Sequence, residues 1–283
     1  MKKILVPCDF SKPAINAFRF ALDLASQSKG SIELLHVVEL PVMHDTVLMP
    51  VLNFEEELLK ELKEKSEGEF SKIITKYNKD NVKATFNVVF GAPSLQIIDY
   101  IKNNNIDLVI MGSHGASGLR EIFVGSNAEK IVRHSPVPVL VIKNYLKGSI
   151  KNIAFPNDLE EEDQEELVHK VKTLQSFFDA TLHLVRINTP LNFRSDIVTR
   201  ERLKAFAKHH GLKNYTINIF NHPNEEDGIL EFSNFIKADI IAMGTHARKG
   251  IGHLLNGSVT EDVTNHTNKP IWTYSFNNEL AQA

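Results

Sequence analysis

A lone cysteine, Cys8, excludes any disulfide within the chain and fits a reducing compartment. Long apolar runs are missing as well; none approaches the roughly 18–20 residues that a membrane-spanning helix needs. The opening "MKKILVPCDF" has two lysines, but proline and aspartate cut its apolar stretch short, so it reads as a first strand rather than a secretory leader. A cytoplasmic setting is therefore expected. Neither sign of charge dominates: 32 Lys and Arg against 35 Asp and Glu give a net charge of −3. With no basic stripe visible, nucleic acid is not an expected partner. What remains, 42% hydrophobic and 24% charged residues in a chain of 283, is the composition of a globular protein with room for two domains.

The chain is written twice. "ILVPCDF" from Ile4 returns as "IAFPNDL" from Ile153, an offset of 149. "DLVIMGSHG" from Asp107 returns as "DIIAMGTHA" from Asp239, an offset of 132. That second offset then holds without a gap, pairing Gly118 with Gly250, Gly125–Ser126 with Gly257–Ser258, Glu129 with Glu261 and Pro138 with Pro270. The second copy is shorter by 149 − 132 = 17 residues, and the loss falls between its second and fourth strands.

Each copy alternates strand and helix. In the first, an apolar strand precedes "SKPAINAFRFALDLASQ", which carries Ala14, Phe18, Ala21, Leu22 and Ala25 at helical spacing, with Ser11 as N-cap and Pro13 in the first turn. "SIELLHVVEL" is a second strand. A long helix from Phe54 to about Tyr77 bears Leu58, Leu59, Leu62, Phe70, Ile73, Ile74 and Tyr77. Strand, helix, strand, helix and a fifth strand "VPVLVIK" follow. In the second copy, "EEDQEELVHKVKTLQSFF" is the first helix and "DIVTRERLKAFAKHH" a shorter second one. Strands separated by helices imply parallel pairing, and near-continuous apolar strands imply helices on both faces. The expected fold is α/β, with two tandem five-stranded, doubly wound parallel sheets. The polar stretch "NYLKGSIKN" puts the boundary between domains 1–146 and 147–283.

"MGSHGASGLREIFVGSNAEK" (Met111–Lys130) asks for backbone without side chains at three places. Gly112 ends the fourth strand, Gly115 lies one tight turn later, and Gly125–Ser126 opens the next helix. Open parallel sheets bind ligands at the carboxyl ends of their strands, and a helix N-terminus offers unpaired N–H groups to phosphate. A second reading stands beside this one: Ser126-x-x-Glu129 and Ser258-x-x-Glu261 are capping boxes, which serve only their own helices. The pattern is neither a Walker A loop nor a dinucleotide fingerprint.

Gly112-x2-Gly115-x9-Gly125-Ser126 after a fourth strand, with Asp9 closing the first, resembles the nucleotide-binding pattern of the universal stress protein family. "VPCDFSKPA", "LLHVVE", "FGAP" and "HSPVPVLVIK" agree with it, and the likeness spans nearly the whole chain as a tandem of two domains. The resemblance implies a Rossmann-like fold and a stress-response regulator or interaction module that binds ATP with Mg²⁺ in its N-terminal domain. By that resemblance Asp9 holds the ribose, Pro7 and Val37 flank the adenine, and Met111 and Gly112 border the sugar and first phosphate. Gly115, Gly125, Ser126 and Asn127 then meet the phosphates.

The second copy keeps Asp158, Gly244, Gly257 and Ser258 as a degenerate second site, but Ala247 stands where Gly115 would, and Glu160 to Asp163 crowd the start of its first helix. Acids there are ordinary partners of the helix dipole, and they also repel a triphosphate. His114 and His246 match each other within the motif without further metal ligands at defined spacing. His209 and His210 end a helix and suit its dipole, and Cys8 reads as a core thiol.

No residue is placed by motif as a catalytic base, and no P-loop lysine is present. Slow ATP hydrolysis or nucleotidyl transfer on the same fold, and a non-nucleotide scaffold, stand as the alternatives. The fifth strands are apolar and each would lie at a sheet edge, where bare strands invite pairing. The resemblance implies dimerisation through this edge in single-domain relatives, so the two copies are expected to pair antiparallel within the chain as a pseudo-dimer, with Trp272 near the seam, and a homodimer is a further expectation.

Overall fold

The computed structural model describes residues 2–39, 52–113, 125–146, 149–159, 164–246 and 259–276. The first half runs β1 (Lys3–Pro7), α1 (Lys12–Ser28), β2 (Ser31–Val38), α2 (Leu52–Tyr77), β3 (Lys83–Phe90), α3 (Pro93–Asn103), β4 (Leu108–Gly112), α4 (Ser126–His134) and β5 (Val139–Ile142). The second half repeats it as β6 (Asn152–Pro156), α5 (Glu165–Phe178), β7 (Thr181–Asn188), α6 (Asp196–His209), β8 (Tyr215–Asn221), α7 (Glu225–Phe235), β9 (Ile240–His246), α8 (Val259–His266) and β10 (Ile271–Phe276). A short 3₁₀ turn, Pro190–Asn192, follows β7. Among the described residues no helix is long and apolar enough to cross a membrane.

All ten strands form one sheet in the order β3-β2-β1-β4-β5-β10-β9-β6-β7-β8. Pairing is parallel within each half. The halves meet edge to edge through the antiparallel pair β5–β10, with Trp272 opposite Leu140 and Thr273 opposite Val139. The Thr273 hydroxyl donates to the Val139 carbonyl at 3.3 Å. Two apolar edges that would each invite a stranger are thus closed by each other.

The two faces of this sheet differ. On one face a single buried cluster runs through both halves, from Ile4, Phe18 and Leu34 across Leu140 and Trp272 to Phe155 and Leu184. On the other, two separate clusters lie under α3–α4 and under α7–α8, around Ile97 and Ile131 and around Ile229 and Phe232.

The apolar stripe of α1 is buried as its spacing predicts, and Ser11 caps the helix by accepting from the Ala14 N–H at 3.3 Å. The stripe of α2 holds only in part. Phe70 and Ile73 are buried while Leu58 is exposed. A helix of 26 residues spans about 39 Å, and the eight-residue strands beneath it about 26 Å, so its first turns outrun the sheet. Its counterpart α6 has 14 residues. Most of the missing length of the second copy is therefore one shortened helix between its second and third strands.

The duplication reaches the backbone angles. Phe10 and Leu159, each just beyond a first strand, sit at φ 63° and 61°; Lys29 and Asp179, each capping a first helix, both sit at 50°. Asn105 and Lys237, each just ahead of a fourth strand, sit at 51° and 53°. Side chains other than glycine rarely hold this left-handed conformation, so its recurrence at matched turns marks one template used twice.

Two helix starts differ from the sequence reading. Gly125, not Ser126, is the N-cap of α4, and Ser126 is the first helical residue. The capping-box reading of Ser126 fails for that reason, since only the half-in capping residue has the extended backbone that folds its side chain over the helix end. The described part of α5 begins at Glu165 behind Gln164, so its acidic first turn is Glu165–Glu166. Glu160 to Asp163 lie outside the described residues, as does Ser258 of the second capping box.

Candidate functional site

In the first half the strand order reverses between β1 and β4, and the chain leaves these neighbours in opposite directions. A cleft opens at their carboxyl ends, where open α/β sheets hold ligands. Its volume is about 190 Å³, and Pro7, Asp9, Val37, Met111, Gly112, Gly125, Ser126 and Asn127 all line it. These are eight of the nine residues singled out in the sequence; the ninth, Gly115, lies outside the described residues, as does His114.

Each wall follows from local structure. Beyond β1 the chain turns sharply at Phe10, and the Asp9 carboxylate accepts the Ser11 N–H at 3.0 Å, which orients it across the strand ends. The N–H of Gly125 donates to the Ser113 carbonyl at 2.7 Å and brings the start of α4 against the end of β4. The first-turn N–H groups of α4 are thereby delivered to the cleft with Ser126 exposed beside them. Gly112 has a reason of its own. A Cβ built there would lie 2.7 Å from the Pro13 carbonyl carbon and 2.9 Å from the Ala14 nitrogen, so the residue is glycine because α1 begins on top of it.

Among the other residues that line the cleft, sequence reasoning missed His36, Pro93 and Ile97. His36 Nδ1–H donates to the Cys8 carbonyl at 2.8 Å, with its ring 4.9 Å from that of Phe10. Alternation along β2 puts Leu35 and Val37 on one face and His36 on the other, so the strand pattern alone gives no hint that the strand end exposes all three to one cavity.

Cys8 is buried, and burial pushes its thiol up to about 12. A group that buried and that far from ionising is no nucleophile at neutral pH. Ellman's reagent is expected to leave the native chain unlabelled and to label one thiol per chain on unfolding; rapid labelling of the native chain would contradict this.

The second half arranges the equivalent place differently. Here the cavity is about 620 Å³ and is lined by Asp158, Arg186, Leu191, Asn192, Phe193, Arg194 and Glu225. Arg186 is the sixth residue of β7, as His36 is of β2, and Glu225 opens α7 as Pro93 opens α3. A nearly apolar wall has become a charged one. Burial raises the pKa of Glu225, Arg186 opposes that shift and Asp158 reinforces it. Of the second-site residues, Asp158 lines this cavity and Gly244, within β9, does not. Gly257 and Ser258 lie outside the described residues, as do Ala247 and the side chain of His246.

His209 and His210 do more than end a helix. His209 Nε2 lies 3.0 Å and His210 Nδ1 3.6 Å from the two carboxylate oxygens of Glu165, at the start of α5. Among the described residues these three side chains are the group whose ligand atoms converge closely enough for a metal ion. Glu165 lies 44 residues away in the chain, so no local spacing announces the cluster.

Known proteins agree with this architecture. The family model described as "Universal stress protein family" matches residues 1–143 and again 149–275. Universal stress protein MJ0577 of Methanocaldococcus jannaschii is 30% identical over 153 residues, covering 50% of this chain and 94% of that protein. Universal stress protein Slr1230 of Synechocystis is 24% identical over 295 residues, covering 97% of this chain and all of that one. The crystal structure of a universal stress protein from Archaeoglobus fulgidus superposes with a TM-score of 0.77 at 20% identity, over 96% of this chain and 98% of that one. With its model matched twice and the sheet built twice on one template, the chain belongs to the universal stress protein family as a tandem, two-domain member.

Proposed function

We propose that this chain binds ATP, accompanied by Mg²⁺, in its N-terminal domain, and acts as a nucleotide-dependent regulator or interaction module in a stress response, with the domain boundary at 146/147. The observation that carries the reading is the convergence of eight motif residues on one cleft at the strand-order reversal. The chemistry of the walls fits the parts of a nucleotide. Pro7 and Val37 offer apolar strand ends to a flat base, and the oriented Asp9 carboxylate accepts from two vicinal hydroxyls. Met111 and Gly112 border the sugar. The N-terminus of α4, with Gly125, Ser126 and Asn127, meets phosphate oxygens through N–H groups that have no partner within the helix. Gly115 belongs to the same phosphate turn by sequence, and Mg²⁺ would arrive on the phosphates themselves.

One ATP per chain is expected, because the second copy has Ala247 in place of Gly115 and the acidic run Glu160 to Asp163 beside its first helix. At an effective dielectric near 20, one like-charge pair about 8 Å apart costs on the order of 2 kcal/mol. That is more than tenfold in affinity. Titration calorimetry with ATP and Mg²⁺ tests the reading. Saturation should come near one nucleotide per chain. Asp9→Ala should weaken binding by about 1.5–3 kcal/mol, roughly tenfold to over a hundredfold, since it removes hydrogen bonds to a charged acceptor. Asp158→Ala should leave the affinity unchanged. Saturation at two, or undiminished affinity in Asp9→Ala, would overturn the assignment.

A further inference from the structure

We propose that the second domain carries a receptor for a small monocarboxylate with an apolar body, centred on Arg186. Arg186 is only 4% exposed, yet it lines the cavity of about 620 Å³ at the carboxyl ends of β6 and β7. Among the described residues its guanidinium makes no hydrogen bond, and no ion pair holds it; Glu225, across the same cavity, acts on it only as a more distant charge. A buried guanidinium left without a close anion is costly unless something supplies one. Its planar fork matches a carboxylate with two parallel N–H···O bonds.

The cavity is built around this group. Buried Asn188, two residues on, accepts the Arg194 N–H at 3.0 Å and donates to the Arg194 carbonyl at 3.2 Å, and its amide also donates to Asn221 at 3.0 Å. These bonds pin the segment after β7, which sets Leu191 and Phe193, 96% and 70% exposed, at the rim. Two large apolar side chains held open beside a buried cation suit a ligand with an acid at one end and hydrocarbon at the other. The volume is that of a small-molecule site. Asp158 and Glu225 offset Arg186 and Arg194 on the same walls, so the lining suits a single negative charge better than the two of a phosphate ester. The two domains would then report on different molecules through one shared sheet.

The inference does not rest on ATP binding in the first domain, and its test is separate. In the full chain, the arginine Nε–H signals in ¹⁵N-edited NMR spectra are titrated with hexanoate, hexyl phosphate and hexylammonium, the Arg186 signal being assigned by its loss in Arg186→Lys. Hexanoate should shift that signal saturably, more tightly than hexyl phosphate, and hexylammonium should not move it. Hexanoate affinity should fall at least tenfold in Arg186→Lys, which keeps the charge but loses the fork, and in Arg186→Gln. An Arg186 signal indifferent to hexanoate, affinity within twofold of the parent in folded Arg186→Lys, or an equal response to hexylammonium would overturn the site. Hexyl phosphate binding as tightly as hexanoate would overturn the monoanion assignment. The first reading uses the unaltered protein, so failure of a variant to fold does not remove the test.

Discussion

Trp272→Ala is expected to lower the unfolding free energy by about 3–5 kcal/mol, the usual cost of emptying a buried indole site, and to do so for both halves at once. Trp272 is fully buried, lies opposite Leu140 in the antiparallel pair that joins the halves, and belongs to the one cluster that crosses between them. A cavity there opens within the one cluster that holds the buried apolar residues of both α1 and α5. The loss should therefore appear as a lower urea midpoint in a single transition followed by circular dichroism. Two separated transitions, with only the second domain weakened, would mean that the halves do not share a core. Trp272→Phe should cost much less, because the buried indole nitrogen has no hydrogen-bond partner among the described residues to lose.

Gly112→Val is expected to cost about 3 kcal/mol of stability and to abolish ATP binding. The cause is overpacking against backbone, at the upper end of what crowded cores show. A Cβ alone meets the start of α1 at 2.7 Å, and the Pro13 and Ala14 backbone cannot swing aside as a flexible side chain would. The helix start must move, and the Asp9–Ser11 turn moves with it, since Asp9 and Ser11 are hydrogen-bonded immediately before the helix. Thermal unfolding of the nucleotide-free protein separates this from a purely ligand-directed role for the glycine. If nucleotide-free Gly112→Val is as stable as the parent, the close approach to α1 is not what demands glycine here.

By itself the sequence determined the duplication, the α/β alternation and most of one site, and each has a local cause. Strand and helix differ in apolar period, 2.0 against 3.6, so the buried stripe of α1 from Ala14 to Ala25 is visible in the string. The positions of Asp9, Gly112 and Gly125–Ser126 are set by where strands stop and helices start, which is why eight motif residues found one cleft. Antiparallel closure of β5 on β10 was expected too, from apolar strands that would end each sheet together with the family resemblance.

Only the tertiary structure decided the rest. That Gly112 faces α1 depends on the crossing of a helix over a strand about 100 residues away in the chain. That Ser126 starts α4 rather than capping it shows only in the fold, where Gly125 takes the cap position and its N–H donates to the Ser113 carbonyl at the end of β4. Arg186 and Glu225 come from opposite ends of a strand–helix–strand crossover and share a cavity only because parallel pairing sets their strand and helix ends side by side. Local rules act over one or two turns of chain; which side chains meet across the sheet is fixed by register and burial, and those exist only once the sheet has formed.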